Sequence, residues 1–90
     1  MKQDYSHAAI SGHCRKQLVE RHMPVEALMS VLTDGDEVLA SAPERIILQK
    51  VVLTEGKPYL WRVVIDVLQS PPRVITAYRT SKLKKYVKEH

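Results

Sequence analysis

The sequence predicts an α+β fold, with two N-terminal helices packed on one face of a roughly four-stranded, mainly antiparallel sheet. Three observations carry this expectation. Apolar residues recur at helical spacing as far as Thr33. From Glu37 onward the period changes to two. The β-branched runs that follow are separated by stretches that suit turns but are too short for a crossover helix.

Taken in order, residues 6–22 read as the first helix, because Ile10, Cys14 and Leu18 recur every four residues as a narrow apolar stripe. His7 and Arg21 fall within the same arc, and His13, Gln17 and Glu20 lie along its edge. Gly12 costs a helix about 1 kcal/mol relative to alanine, so a start near Ser11 is the alternative. Met23-Pro24 breaks the helix, and Pro24 suits the first position of the next one, residues 24–33, with Leu28, Val31 and Leu32 inward. Asp34-Gly35-Asp36 ends it. Residues 37–41 read as a short edge strand, 45–54 (RIILQKVVLT) as a long one, 59–68 (YLWRVVIDVL) as the next and 73–79 as the last. Glu55 to Pro58 and Gln69 to Pro72 supply the turns. The expected organisation is one domain over 1–90, with helices at about 6–33, the sheet at about 37–79 and a basic tail at 80–90.

Alternation assigns the faces. Tyr59, Trp61, Val63, Ile65 and Val67 share an apolar side that should meet the helices. Leu60, Arg62, Val64, Asp66 and Leu68 share a mixed one. In the last strand Ile75 and Ala77 go with the apolar side, and Thr76 and Tyr78 with Arg62. Lys50 is assigned to that polar side as well. A slip of one residue would exchange the two faces.

Composition narrows the class. With 44% hydrophobic and 27% charged residues, the 90-residue chain suits a small folded domain rather than a disordered one. No apolar run approaches the roughly 18 residues of a membrane span. The N-terminus lacks the apolar core of a secretion signal, and the lone Cys14 excludes an intramolecular disulfide; a cytoplasmic, reducing setting is expected. Cys14 itself reads as a small buried hydrophobe. The net charge of +4 is unevenly spread: residues 73–90 carry +5 and residues 1–72 carry −1. Such asymmetry points to an anionic partner, nucleic acid or an acidic protein, or else to a solvated charged terminus.

The chain has no glycine-rich phosphate loop, HExxH helix or GxSxG elbow, and its acids are scattered rather than gathered as metal ligands. No metal or cofactor is expected. Cations, histidines and hydroxyls remain, a set that suits metal-independent cleavage of RNA by the substrate's own 2′-OH. His13 is a candidate base, or an exposed helix residue; His7, His22 and His90 are weaker candidates. Arg62, in mid-strand, has the forked donors that fit phosphate, although such arginines also pair across a sheet. Tyr78 and Tyr86 either stack on bases or cover apolar surface. Arg21, in an apolar arc, requires a partner, for which Asp66 or a backbone carbonyl is expected.

Two stretches are familiar together: HCRKQLVER, an H-x6-E-R helix from His13 to Arg21, and a closing VITAY from Val74 to Tyr78, extended as RTSKLKKY. Over roughly residues 6–86 the chain resembles the uncharacterised domain of unknown function 4258 family, which is similar to RelE- and BrnT-like toxins of the barnase–EndoU–colicin–RelE group of ribonucleases. The resemblance implies a RelE-like fold whose open, concave sheet face binds RNA. It implies site roles for His13, Thr76 and Tyr78, with Glu20 and Arg21 structural or site-supporting. Arg62, Arg79 and Lys82 match the phosphate-binding cations of such toxins in type. Lys50, Lys84, Lys85 and Tyr86 would extend the RNA-binding surface. Family members usually have glycine after the motif arginine, where this chain has His22. The implied partners are RNA, including ribosome-bound mRNA, and a cognate antitoxin protein; no membrane is involved. The expectation is therefore a toxin-like endoribonuclease. The alternatives are a non-catalytic RNA- or protein-binding module of the same fold, and an inactive relative.

Overall fold

The computed structural model describes residues 4–38 and 43–83. Their elements run β1 (Ala9–Ile10), α1 (Gly12–Glu20), α2 (Val25–Asp34), β2 (Asp36–Val38), β3 (Arg45–Thr54), β4 (Lys57–Asp66) and β5 (Arg73–Thr80). The two helices and the mixed α+β class are as expected. The sheet differs: it has five strands in the order β1-β5-β4-β3-β2, and β1 pairs parallel to β5.

The extra strand comes from chain that apolar spacing had assigned to the helix. Ser11 divides the two. Its Oγ accepts from the Cys14 amide at 3.1 Å, as an N-cap does, and donates to the Ile75 carbonyl at 3.1 Å. The start near Ser11 is thus the one adopted. The residues before it extend along β5, where the Ala9 amide bonds the Pro72 carbonyl at 2.8 Å and the Ser11 amide bonds Val74 at 3.1 Å.

The end of α1 explains the unusual His22. The amides of His22 and Met23 return to the carbonyls of Val19 and Leu18 at 3.3 and 2.9 Å, a Schellman closure. That geometry holds His22 at φ 53°, in the left-handed region where glycine is favoured. Met23 and Leu18 are both buried beneath the turn. Pro24 is the N-cap of α2 rather than its first residue. Gly35 ends α2 where a Cβ would lie 2.6 Å from the Val31 carbonyl oxygen, so only glycine fits.

In the β3–β4 hairpin, Glu55 and Gly56 both take positive φ, 53° and 78°, as a two-residue type I′ turn requires. Strand pairing therefore resumes at Lys57, two residues earlier than expected, and Pro58 opposes Leu53. At the other end β4 stops at Asp66. The expected edge strand appears as β2, Asp36–Val38; its expected remainder, residues 39–41, lies outside the described residues.

The core lies between the helices and one side of the sheet. Cys14 and Leu18 of α1, and Ala27, Leu28, Val31 and Leu32 of α2, meet Leu48, Trp61, Val63, Ile65, Val74 and Ala77. Trp61, Val63 and Ile65 are fully buried, as their alternation predicts. A bulge between Val64 and Ile65 revises β5: Ile65 opposes Val74 and Val64 opposes Thr76, so Ile75 is the extra residue. Val74 and Ala77, rather than Ile75 and Ala77, are therefore the buried pair. Among the described residues no helix is long and apolar enough to cross a membrane.

Candidate functional site

Two rows of side chains cross the sheet one residue apart and point to opposite sides. Register places Gln49 of β3, Arg62 of β4 and Tyr78 of β5 side by side on the face away from the helix-packed core, with Asp36 of β2 next to Gln49. Arg62 Nε donates to Gln49 Oε1 at 2.9 Å, so the guanidinium is held in the plane of the row. Arg62 and Tyr78 are both half-buried, which limits their motion while leaving them reachable. Thr76, two residues before Tyr78 on the same side, opposes Val64.

Helix α1 reaches this side through one contact. Thr76 Oγ1 donates to Gln17 Oε1 at 2.7 Å. Because α1 packs on β5 and residues four apart share a helix face, His13 lies one turn before Gln17 on the flank that meets Thr76, and Glu20 and Arg21 one turn after it. His13 is exposed. The α1–β5 seam therefore joins the amide of Gln17 to the hydroxyl of Thr76, two residues before Tyr78 on β5, and His13 stands one helical turn before Gln17. Imidazole, phenol and guanidinium together can accept a proton, donate one and neutralise an anion.

Several expected positions move. Lys50 opposes Trp61, so it lies on the helix side, where its amine bonds Ser30 Oγ at 2.6 Å and pairs with Asp34. Arg79 also opposes Trp61 and lies on the helix side, its guanidinium 4.3 Å from the centre of the Tyr59 ring. The cause is the period of two: neighbours in sequence such as Tyr78 and Arg79 cannot share a face. Arg21 is exposed rather than held in the apolar arc, because the helix ends there and Arg21 is its C-cap. The partner expected for it, Asp66, instead accepts from the Leu68 amide at 3.0 Å and from Gln69 Nε2 at 3.1 Å. Those bonds, the Gln69 one foremost, hold the Asp66 carboxyl below its usual pKa.

Glu20 pairs at 3.9 Å with Lys16 on the exposed helix surface. Lys82 is exposed just past β5, its amide bonded to Thr80 Oγ1 at 3.0 Å. Lys84, Lys85, Tyr86 and His90 lie outside the described residues. Cys14 is fully buried, and burial pushes its thiol pKa up, as suits an unreactive core residue. Among the described residues no three of His, Cys, Asp and Glu gather as a metal-binding group.

Sequence reasoning missed Gln17 and Gln49, the two amides that join the site's parts. Both carried a signal. Gln17 sits four residues after His13, and Gln49 faces Arg62 once the hairpin turn is fixed at Glu55-Gly56.

The profile of the family described as domain of unknown function (DUF4258) matches residues 10–79, a span that runs from the last residue of β1 to the penultimate residue of β5. No curated protein and no solved structure matches the chain.

Proposed function

The chain belongs to the DUF4258 family, and we propose that it is a toxin-like, metal-independent endoribonuclease acting through the side of the sheet that carries Arg62. One observation above all supports this reading: the Thr76–Gln17 hydrogen bond, which couples the His13 flank of α1 to the strand bearing Tyr78. In this reading an acid–base group from the helix would act beside a phosphate-binding guanidinium on the sheet. The likeness to RelE and BrnT toxins points the same way, and it implies a cytoplasmic site of action, on free or ribosome-bound mRNA.

In this reading Arg62 holds the scissile phosphate by its forked donors and offsets the charge that builds on the phosphoryl oxygens. Thr76, fixed by Gln17, orients the ribose 2′-OH. His13, as general base, takes the 2′-OH proton while O2′ bonds to phosphorus. The P–O5′ bond breaks, and Tyr78 gives its proton to the departing 5′-oxygen. The products are a 2′,3′-cyclic phosphate and a 5′-hydroxyl. Lys82, and the basic residues after it, would guide the rest of the strand by long-range attraction. An antitoxin protein would silence the activity by covering this face.

Purified protein incubated with RNA in EDTA is expected to produce fragments with 2′,3′-cyclic ends. RNA left intact, with and without ribosomes, overturns the proposal. A second reading, a binding module without catalysis, is favoured by Val51 and Leu53, which are 45% and 69% exposed on the same side and suit a protein partner. A module of this kind would retain RNA or protein with a salt-dependent affinity and never shorten RNA.

A further inference from the structure

Strand β3 outruns the strand that flanks it. β2 pairs only with Ile47, Leu48 and Gln49, whereas β3 continues to Thr54. The hairpin turn fixes which backbone groups of that overhang face outward. In a two-residue turn the flanking pair, Thr54 and Lys57, exchanges hydrogen bonds, and the ladder to β4 continues from there without a shift. Bonded and non-bonded pairs alternate. The amides and carbonyls of Thr54, Val52 and Lys50 therefore face β4, and those of Leu53 and Val51 face away from it. Among the described residues no strand pairs with that outer side. Open backbone of this kind is satisfied by water and is a template for another strand.

The overhang lacks the devices that usually blunt an edge. It has no proline and no bulge, and its one charge, Lys50, is turned to the helix side and held by Ser30 and Asp34. Val51 and Leu53 are exposed on the opposite side. The order Lys50-Val51-Val52-Leu53-Thr54 selects a second copy of itself as the occupant. Antiparallel pairing about a twofold axis at Val52 sets Val51 against the second copy's Leu53, Val52 against itself and Lys50 against Thr54. Val51 and Leu53 carry the outward amides and carbonyls, so both of their cross-copy pairs are bonded ones, about four hydrogen bonds in all. The same pairs bring exposed apolar side chains together on one face and oppose no like charges. A register slipped by one residue would set outward groups against inward ones and lose the bonds. The axis closes the contact on itself, which stops it at a dimer.

We propose that Val51 to Thr54 of β3 form a self-association edge, through which two copies of the chain join in antiparallel register as one continuous sheet. The twofold axis stands normal to that sheet, so the two Arg62 rows share one of its faces. The pairing does not depend on the chain cutting RNA.

Sedimentation equilibrium of the intact chain, run from micromolar to millimolar concentration, is expected to show a dimer whose share rises with concentration. Leu53→Lys sets a charge beside the second copy's Val51 without touching the core. It should weaken the association about tenfold or more and leave the unfolding midpoint of the monomer unchanged. Val52→Cys tests the register. At the axis its two copies form a non-bonded pair with Cα atoms about 4.5 Å apart, within the range of a disulfide, so oxidised glutathione should link the dimer. Leu68→Cys, more exposed but past the end of β4, should stay unlinked. A chain that is monomeric at every concentration, as one that reserves this edge for a different protein would be, overturns the proposal. So does a dimer of undiminished strength in a folded Leu53→Lys, or equal linking through Leu68→Cys.

Discussion

The two rows that cross the sheet differ by one residue in each strand and by almost everything in environment. Gln49, Arg62 and Tyr78 stand on the side away from the helices, and Arg62 is oriented by a neighbouring amide. Lys50, Trp61 and Arg79 stand on the helix side, where Trp61 is fully buried and Lys50 ties β3 to α2. A run of cations along a sequence is therefore not a patch. Alternation divides it, and what a cation can do depends on the face it inherits.

The sharpest way to break this comparison is to truncate one member from each side. Trp61→Ala removes a buried indole from the core between the helices and the sheet and is expected to cost about 3–5 kcal/mol in denaturant unfolding. Leu53→Ala, 69% exposed on the other side, should stay within about 0.5 kcal/mol. Equal losses would mean that the two faces are not distinct.

Smaller changes sharpen it. Ser11→Ala removes both the α1 cap and the bond to Ile75, and should lose about 1–2 kcal/mol of stability together with the α1–β5 alignment on which the Thr76–Gln17 contact depends. His22→Gly relieves a left-handed residue at the end of the same helix and should gain about 1 kcal/mol, read as a raised unfolding midpoint. Lys50→Met removes a partly exposed ion pair on the helix side, and a loss of at most about 1 kcal/mol is expected. Asp66→Asn should act at neutral pH and lose its effect in acid. The folded Asp66 carboxyl titrates below its unfolded value, so its contribution is present above the unfolded pKa and fades as pH falls through the folded one. The Asn variant should therefore show a shallower loss of stability below about pH 4 than the parent chain.

Much of the fold was legible because it rests on local rules. The wholly apolar side of β4 identified the buried face, and Gly35 and the Glu55-Gly56 pair marked where elements end. β1 was not legible, because two residues paired parallel to a distant strand leave no periodic trace, and the helical spacing of Ile10 masked them. The bulge at Ile75 was equally silent, since an extra residue changes the face assignment without changing composition. At the candidate site, Arg62, Thr76 and Tyr78 fell where alternation put them. Lys50 and Arg79 did not, because charge and family likeness were allowed to outweigh that same alternation. The glutamines were overlooked for a related reason: neutral amides attract no notice until register shows which guanidinium or hydroxyl they hold.

The claim on which the functional account turns is that Arg62 works on RNA beside the α1–β5 seam. Cleavage of a defined RNA in EDTA, followed for the parent protein and for a folded Arg62→Gln variant, tests it most directly. The account predicts fragments ending in 2′,3′-cyclic phosphate from the parent and a rate lowered by about a hundredfold or more in the variant. Uncut RNA, or a variant that cuts as fast as the parent, would contradict it.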